Sequence, residues 1–350
     1  MSIASYLYIG FMALVGTAVL TWIALWIFPR IGLMDKPHKY GLKRKPIPYA
    51  GGLIFYIVFL VLASCFLEFS TALMGVIVGA LILLSVNFID DVRGLSPWPR
   101  LMAQGAAALC VVLSGVRAES LTNPLGGTID LTGLEVSFGV GEHLFVISLI
   151  SLIVTVFWIL AMVNTMNWLD GLNGLPSGVT FIASVILFAL AVRPDFHYID
   201  QTQTAVLAII VAGIALGFWF FDFSPAKILM GDTGSMFFGY MLAVLAILSG
   251  GKIATAFLVM GLPILDFGWV ILRRTISGKS PFKGDLRHFH HRLIKAGFSE
   301  RKSLFAIYFF CMAFGGTALF LGTGQKLIAL VILIGLTGLV GGWLVYNEKA

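Results

Sequence analysis

Long apolar runs constrain this chain more than any other feature. A helix needs about 20 apolar residues to cross the hydrocarbon core of a bilayer. Eleven candidate runs cover residues 3–28, 50–68, 71–89, 101–116, 143–163, 175–192, 203–221, 235–250, 252–272, 303–322 and 326–346. Only 11% of the residues are charged, against about 25% in soluble domains. The sequence predicts an all-α integral membrane protein, a single domain over residues 1–350 with about eleven transmembrane helices.

The distribution of basic residues predicts how these helices are oriented. With eleven spans, 19 of the 23 Lys and Arg residues fall in loops on one side of the membrane. Cytoplasmic loops carry an excess of basic residues, so this side is predicted to be cytoplasmic, with the N-terminus outside and the C-terminus inside. The net charge of +6 then reflects topology and attraction to the bilayer surface, and no nucleic-acid partner is predicted. On the outer side, alternating apolar residues in 117–139 predict a short external β-hairpin.

Four polar clusters fall in loops on the predicted cytoplasmic side, at residues 87–91, 164–174, 230–235 and 285–292. Charged side chains at the hydrocarbon boundary are costly unless they are paired or functional. Carboxylates, amides and histidines on one face therefore predict a site for a charged ligand.

The carboxylates Asp90 and Asp91 lie where the third span leaves the membrane. They can bind a cation or abstract a proton, or simply cap the span in water. Adjacent helical residues do not share a face, so two separate roles are predicted. Pro97 and Pro99 are predicted to keep the following loop non-helical, and Arg100 returns a positive charge beside the carboxylates.

The second and third clusters combine amides with carboxylates. Asn164, Asn167 and Asp170 recur every three residues at the end of the fifth span, which predicts a polar stripe on a helix. Asp232 precedes the eighth span, where it, or Ser235, could cap that helix. Equally, Asp232 could bind a hard cation beside a helix N-terminus that attracts phosphate.

The fourth cluster belongs to a predicted cytoplasmic His/Arg loop over residues 273–302. His288, His291 and Arg292 share a face if the segment is helical, with His290 pointing elsewhere. The nearby basic residues favour a cradle for an anionic group, and no zinc motif is present. Asp266 is predicted to lie roughly 10 Å inside the ninth span, as a functional carboxylate or a structural hydrogen-bonding group. Together the clusters suit Mg²⁺-assisted chemistry on a diphosphate, with an amphiphilic substrate reached from the bilayer.

In order and spacing, these motifs resemble those of the polyprenyl-phosphate N-acetylhexosamine-1-phosphate transferases, the MraY/WecA/TagO superfamily, over nearly the whole chain. Residues 90–95 resemble DDxxGL, 164–174 resemble NxxNxxDGxDG, 230–235 resemble MGDxGS, and 278–282 with 288–292 resemble GxSPF…HxHHR. The His-x-His-His-Arg spacing favours the WecA/TagO-like branch.

The resemblance implies transfer of a sugar-1-phosphate from a UDP-N-acetylhexosamine, by default UDP-GlcNAc, to undecaprenyl phosphate, with release of UMP. It implies an enzyme of the inner (plasma) membrane that acts on the cytoplasmic face and initiates cell-envelope polysaccharide synthesis. The matched roles are lipid-phosphate activation by Asp90 and Asp91, a Mg²⁺ (or Mn²⁺) site at Asp232 with Asn167 or Asp170 assisting, and binding of the sugar diphosphate by His288, His290, His291 and Arg292. Asp170 is also a catalytic candidate, and Asn164 a substrate-binding one.

Three departures from the family pattern matter. Asn173 stands where the family has a second Asp, and its amide can pair with the uracil edge, so we predict nucleotide recognition. Arg100 occupies a position where the family commonly has Lys, and a phosphate contact survives that change. The first cytoplasmic loop has Tyr40, Gly41 and Lys43 in place of the family's Arg-Lys and His.

Other interpretations remain open from the residues. The same reaction could use another UDP-sugar, and a covalent aspartyl-phosphate route competes with direct attack by the lipid phosphate. An ion-coupled transporter would need several ionisable groups or broken helices near the membrane midplane. A homodimer is also left open.

Overall fold

The computed structural model describes residues 1–40, 44–123, 127–140, 143–193, 200–249, 253–278 and 288–347. Within them the chain forms thirteen α-helices, four short strands and a 3₁₀ turn at Pro37–Tyr40. The helices are α1 Ile3–Arg30, α2 Gly52–Phe66, α3 Thr71–Arg93, α4 Pro97–Leu113, α5 Leu149–Leu169, α6 Leu175–Ala191, α7 Thr202–Asp222, α8 Gly231–Leu248, α9 Ile253–Val259, α10 Gly261–Ile276, α11 Phe289–Lys295, α12 Glu300–Ala318 and α13 Thr323–Asn347.

Six of the described helices are long and apolar enough to cross a membrane, and the bent pair α9–α10 makes a seventh if it is one span. The chain is a multi-pass membrane protein, and the predicted all-α membrane class is confirmed. Helices α2 and α6 are apolar but have only 15 and 17 residues. The count of eleven spans, and the orientation of the chain, stay predictions.

Two element boundaries differ from the sequence-based expectation. Pro97 and Pro99 do not keep their loop non-helical, because α4 begins at Pro97; proline suits the first turn of a helix, where its missing N–H has no intrahelical partner to lose. The ninth apolar run is not one straight helix, since α9 and α10 are bent by 85° at Met260.

The strands form two antiparallel hairpins instead of the single one predicted. The first pairs β1, Ser120–Thr122, with β2, Thr128–Asp130. The second pairs β3, Glu135–Val140, with β4, His143–Ser148. The predicted range 117–139 therefore ended too early, and the apolar residues 143–148, assigned to the fifth span, form a strand.

Helix α8 lies at the centre of the helical bundle. All its residues except Asp232 and Leu248 are buried, and it packs against α2, α3, α5 and α6. The fully buried Phe237 and Phe238 contact the ring of Phe55 on α2, with centroids 6.0 and 4.5 Å away. In a bilayer such close packing, more than the hydrophobic effect, holds helices together. The one polar residue left accessible on α8 thus lies on a rigid support.

The N-termini of α2 and α8 meet backbone to backbone. The amides of Gly51 and Gly52 donate hydrogen bonds to the carbonyls of Leu229 and Met230, both at 2.9 Å. A Cβ atom on Gly52 would lie only 2.2 Å from the amide nitrogen of Gly234. Glycine is therefore required at this contact, which fixes the start of α8 and the position of its first residues.

Candidate active site

Three of the four polar clusters each contribute a side chain to one hydrogen-bonded group. In this group every side chain contacts Arg100, Asp232 or both. From α4, Nη1 of Arg100 donates to Oδ2 of Asp90 at 2.9 Å and also to Oδ2 of Asp232. Nδ2 of Asn167, on α5, donates to Oδ1 of Asp232 at 2.9 Å and to Ser235 Oγ at 3.2 Å. A guanidinium group thus lies between two carboxylates, and an amide fixes the second of them from the other side.

Asp91 points away from this group and caps helix α8. Its carboxylate accepts hydrogen bonds from the amides of Asp232 (2.8 Å) and Thr233 (3.1 Å) and from the Thr233 hydroxyl (2.6 Å). The side chain of Tyr49 is a further hydrogen-bond donor to it. The helix cap expected from Asp232 or Ser235 is therefore supplied by Asp91. The two adjacent carboxylates thus have different surroundings, and the two separate roles predicted for them stay a prediction.

Asp170 ends α5 and begins the turn that leads to α6. Burial raises the pKa of Asp170 well above its usual range, and the nearby carboxylates of Asp222, Asp232 and Asp91 raise it further. Asn173 lies half-buried in the same turn. Asp170 thus lies among the acidic groups of the candidate site, and its predicted role as a metal ligand stays a prediction.

Asn164 is held by another side chain. Its Nδ2 donates to Oε1 of Gln104 at 2.7 Å and to the carbonyl of Leu160 at 2.8 Å. Gln104 on α4 is buried and also lies 3.7 Å from the sulfur of Met236. This pair joins α4 to α5 beside the carboxylates, which makes Asn164 a structural support in the described contacts.

The three histidines of the fourth cluster pack against one another. His288 has extended backbone angles before α11, so helical spacing does not apply to it and the prediction that His290 points elsewhere is wrong. The ring of His290 lies 5.7 Å from that of His288 and 4.2 Å from that of His291. Burial lowers the pKa of His290 well below its usual range, and the neighbouring imidazoles of His291 and His288 lower it further. Arg292 follows, also buried.

Gly171 brings this histidine cluster against the turn after α5. A Cβ atom at Gly171 would lie 2.5 Å from Nε2 of His290 and 3.2 Å from Nε2 of His291. Two imidazole nitrogens therefore converge on the glycine that follows Asp170. Residues 279–287 of the predicted His/Arg loop, including the SPF part of its motif, lie outside the described residues.

Asp266 is linked to the histidine cluster. Its carboxylate lies 3.0 Å from Nδ1 of His288 and accepts a hydrogen bond from the amide of Phe289 at 2.9 Å. Because α10 follows the 85° bend, this residue reaches the end of the bundle that carries the other clusters. The sequence alone identified no partner for Asp266. In the structure this partner is His288.

The first loop forms a wall of a cavity of about 370 Å³ beside Asp90, Arg100 and Asp232. Lys36 and Tyr49 line this cavity. Asp35 also lines it and forms an ion pair with Arg44, while accepting a hydrogen bond from the amide of Ile47 at 2.8 Å.

The donor atoms around Asp232 suit a hard cation. No group of three or more His, Cys, Asp and Glu side chains among the described residues is arranged to hold a metal ion. Mg²⁺ nevertheless binds commonly through one or two carboxylates plus substrate phosphates and water. The carboxylates of Asp90 and Asp232, which lie within reach of one guanidinium nitrogen, fit that mode.

Sequence reasoning missed Gln104 and Tyr49, and it named Asp266 without its partner. Gln104 carries a signal, since it is a polar residue inside an apolar run. Lys36 belongs to the basic first loop, whose charges the sequence allows to be either a stop-transfer run or a rim that steers phosphate. Nothing in the sequence distinguishes Tyr49 from the tyrosines elsewhere.

Comparisons with known proteins identify the family of this chain. The family described as glycosyl transferase family 4 matches residues 73–250. The chain is 30% identical over 330 residues to the probable undecaprenyl-phosphate N-acetylglucosaminyl 1-phosphate transferase of Bacillus subtilis, covering 92% of this chain and 86% of the relative. It is 31% identical to the decaprenyl-phosphate N-acetylglucosaminephosphotransferase of Mycolicibacterium smegmatis, with the same coverage. A phospho-N-acetylmuramoyl-pentapeptide-transferase of Streptococcus thermophilus is 29% identical, over 77% of this chain and 80% of that relative.

Proposed function

Because the chain belongs to glycosyl transferase family 4, within the polyprenyl-phosphate hexosamine-1-phosphate transferase superfamily, we propose that it transfers a sugar-1-phosphate from a UDP-N-acetylhexosamine to undecaprenyl phosphate. UMP is the second product. UDP-GlcNAc is the proposed donor, since two of the relatives named above are N-acetylglucosamine-phosphate transferases. The reaction takes place at the cytoplasmic face of the membrane and begins the assembly of a cell-envelope polysaccharide.

The observation that carries this proposal is the contact of Arg100 with both Asp90 and Asp232. It joins Asp90 and Arg100 to Asp232, which lies 132 positions after Arg100 in the chain, at the helix ends of a membrane protein. Phosphoryl transfer is catalysed mainly by positioning and by charge stabilisation. Carboxylates that can hold a cation, with a guanidinium beside them, supply both for a reaction between two phosphates.

On the acceptor side, we assign the lipid phosphate to the cavity lined by Lys36, Asp90 and Arg100. Lys36 and Arg100 provide positive charge for the phosphate, and Asp90 is the carboxylate available to take its proton. An oxygen of the lipid phosphate forms a bond to the β-phosphorus of the donor. The bond between that phosphorus and the oxygen of the α-phosphate breaks, and UMP leaves. Asp91 supports the site as the cap of α8 and takes no part in the proton transfer.

On the donor side, we assign the nucleotide sugar to the surface formed jointly by the turn at Gly171 and the histidine cluster, which pack against each other. Arg292 is the charged group for the diphosphate there, and Asn173 pairs with the uracil edge. A divalent cation held at Asp232, Mg²⁺ or Mn²⁺, would neutralise the diphosphate and stabilise the departing UMP. Asn167 orients the Asp232 carboxylate through its 2.9 Å hydrogen bond.

An ion-coupled transporter is the weaker candidate. Its main support in the sequence was Asp266, predicted to lie deep in a span. That carboxylate instead bonds to His288 and to the backbone of Phe289, which accounts for it within a transferase site.

The proposal is tested by measuring UMP release from purified protein with undecaprenyl phosphate, Mg²⁺ and UDP-GlcNAc. A panel of other UDP-N-acetylhexosamines identifies the donor, and EDTA or omission of the lipid phosphate provides the controls. We expect UMP release that requires both the metal and the lipid. Asp232→Ala and Asp90→Asn should reduce it by about 100-fold or more.

The matched control is Asp130→Asn, which changes an exposed carboxylate in strand β2, bonded only to Thr132 in the described contacts. It should leave the rate unchanged. Wild-type rates in both Asp232→Ala and Asp90→Asn would reject the proposed site, and absence of UMP with every donor would reject the proposed reaction.

A further inference from the structure

Asp266 uses both of its carboxylate oxygens to hold the start of the histidine segment. Oδ2 lies 3.0 Å from Nδ1 of His288, and Oδ1 accepts the amide N–H of Phe289 at 2.9 Å. Both side chains are largely buried, with 15% of Asp266 and 8% of His288 exposed. Two hydrogen bonds at one carboxylate leave the imidazole ring of His288 little freedom to rotate.

This contact determines which ring nitrogen of His288 carries the proton. An ionised carboxylate accepts hydrogen bonds and donates none, so the nitrogen facing Asp266 must be the Nδ1–H donor. In a neutral imidazole the other nitrogen then bears a lone pair. Nε2 is therefore an acceptor, and it is the ring nitrogen that Asp266 leaves for a ligand.

Aromatic and imidazole rings pack around the ring of His288. The ring of His290 stacks on it at 5.7 Å, and the ring of His291 lies 6.3 Å away. Trp168 contacts the His288 ring edge-on at 5.5 Å, and the guanidinium of Arg274 lies 5.2 Å from the same Trp168 ring. The His288 ring is therefore enclosed by other rings on the sides that Asp266 does not occupy.

We propose that Asp266 is a positioning residue that fixes His288 as its Nδ1–H form, so that Nε2 accepts a hydrogen bond from an N–H or O–H group of the nucleotide-sugar donor. The inference rests on the proposed function and refines it. It removes His288 from the groups that contact the diphosphate, because a phosphate oxygen can only accept a hydrogen bond. The acetamido N–H, a sugar hydroxyl and the N–H of uracil are the donor groups of the required chemistry.

Asp266→Asn tests the inference with little change of shape. The amide oxygen can still accept the N–H of Phe289, but the amide nitrogen then donates to Nδ1 of His288 and forces the ring proton onto Nε2. We expect kcat/KM for UDP-GlcNAc to fall by about ten-fold or more, with the KM for undecaprenyl phosphate unchanged. A kcat/KM for UDP-GlcNAc within about two-fold of the wild-type value would overturn the inference.

A double-mutant cycle shows whether Asp266 acts through His288. In a His288→Ala background, Asp266→Asn should have no further effect on kcat/KM for the donor. If the effects of Asp266→Asn and His288→Ala on kcat/KM instead multiplied, Asp266 would act independently of His288, and the inference would be wrong. Glu300→Gln is the matched control, because Glu300 is an exposed carboxylate bonded to the Ser224 hydroxyl at 2.7 Å and should not alter either parameter.

The protonation of His288 can also be measured without any substrate. Nitrogen NMR of protein labelled at histidine, with His288→Gln used to assign the signal, should reveal a protonated Nδ1 and a bare Nε2 above pH 7. A proton on Nε2 would contradict the inference even in a fully active enzyme. If the wild-type protein released no UMP, the proposed function would fail while this measurement still tested the tautomer.

Discussion

Replacing Asp91 by alanine should destabilise the protein, whereas replacing its neighbour Asp90 should act mainly on turnover. Asp91 accepts two backbone amides at the start of α8, those of Asp232 and Thr233, and the Thr233 hydroxyl. Loss of a helix cap costs about 0.5–2 kcal/mol, and an N–H left without a partner costs about 1–3 kcal/mol. Asp91→Ala should therefore lower the free energy of unfolding by about 2–5 kcal/mol.

Asp91→Asn keeps one acceptor oxygen and should lower the free energy of unfolding by only about 1–2 kcal/mol. Asp90→Ala is the matched control, because Asp90 bonds to Arg100 and to the Leu95 amide and caps no transmembrane helix in the described residues. Its loss should cost about 1 kcal/mol. The assay is chemical unfolding in mixed micelles, followed by helical circular dichroism. The reasoning fails if Asp91→Ala is no less stable than Asp90→Ala.

Arg100→Ala should lower kcat/KM for UMP release by about 100-fold, while Arg100→Lys should retain activity within about ten-fold, since one positive charge remains between the carboxylates. Gly171→Ala should raise the KM for the donor by about ten-fold, because the added Cβ would lie 2.5 Å from His290 Nε2; an unchanged KM would contradict the donor site. Finally, the pKa of His290 is lowered in the folded protein, so its contribution to stability is constant above about pH 6.5, the ordinary histidine value. Below that pH His290 binds a proton in the unfolded chain but not in the folded protein, so the free energy of unfolding decreases. The melting temperature should therefore decrease less steeply from pH 8 to pH 5 in His290→Gln than in wild type.

The sequence was sufficient to predict the class of the protein and the stretches that supply its site. Apolar runs that exceed the length of a buried helix in a soluble protein leave few alternatives to a membrane bundle. Residues 90, 167 and 232 could be selected because each is a polar residue at the end of such a run. Helical geometry alone also predicts two separate roles for Asp90 and Asp91, and the structure gives the two carboxylates different contacts.

The contacts among these residues could not be predicted, because they depend on where helices bend and begin. Asp266 reaches His288 only through the 85° bend between α9 and α10. Gly261 and Pro263 lie at the start of α10 and are residues typical of a helix break, but they do not determine the angle of the bend. Helical spacing misplaced His290, since α11 begins at Phe289 and His288 is extended. The cap of α8 comes from a residue 141 positions away in the chain, so local sequence rules pointed to the wrong side chain.

The backbone contact between Gly52 and Gly234 has a consequence for how members of this lineage can diverge. Two side chains that touch can change together, one growing as the other shrinks, but a contact made by main-chain atoms offers no such compensation. A Cβ on Gly52 would be 2.2 Å from a peptide nitrogen, and no second substitution moves that nitrogen without moving α8. Both glycines should therefore stay unchanged in any redesign of this protein, and variation of the proposed donor site belongs in the histidine segment and the turn at Asn173.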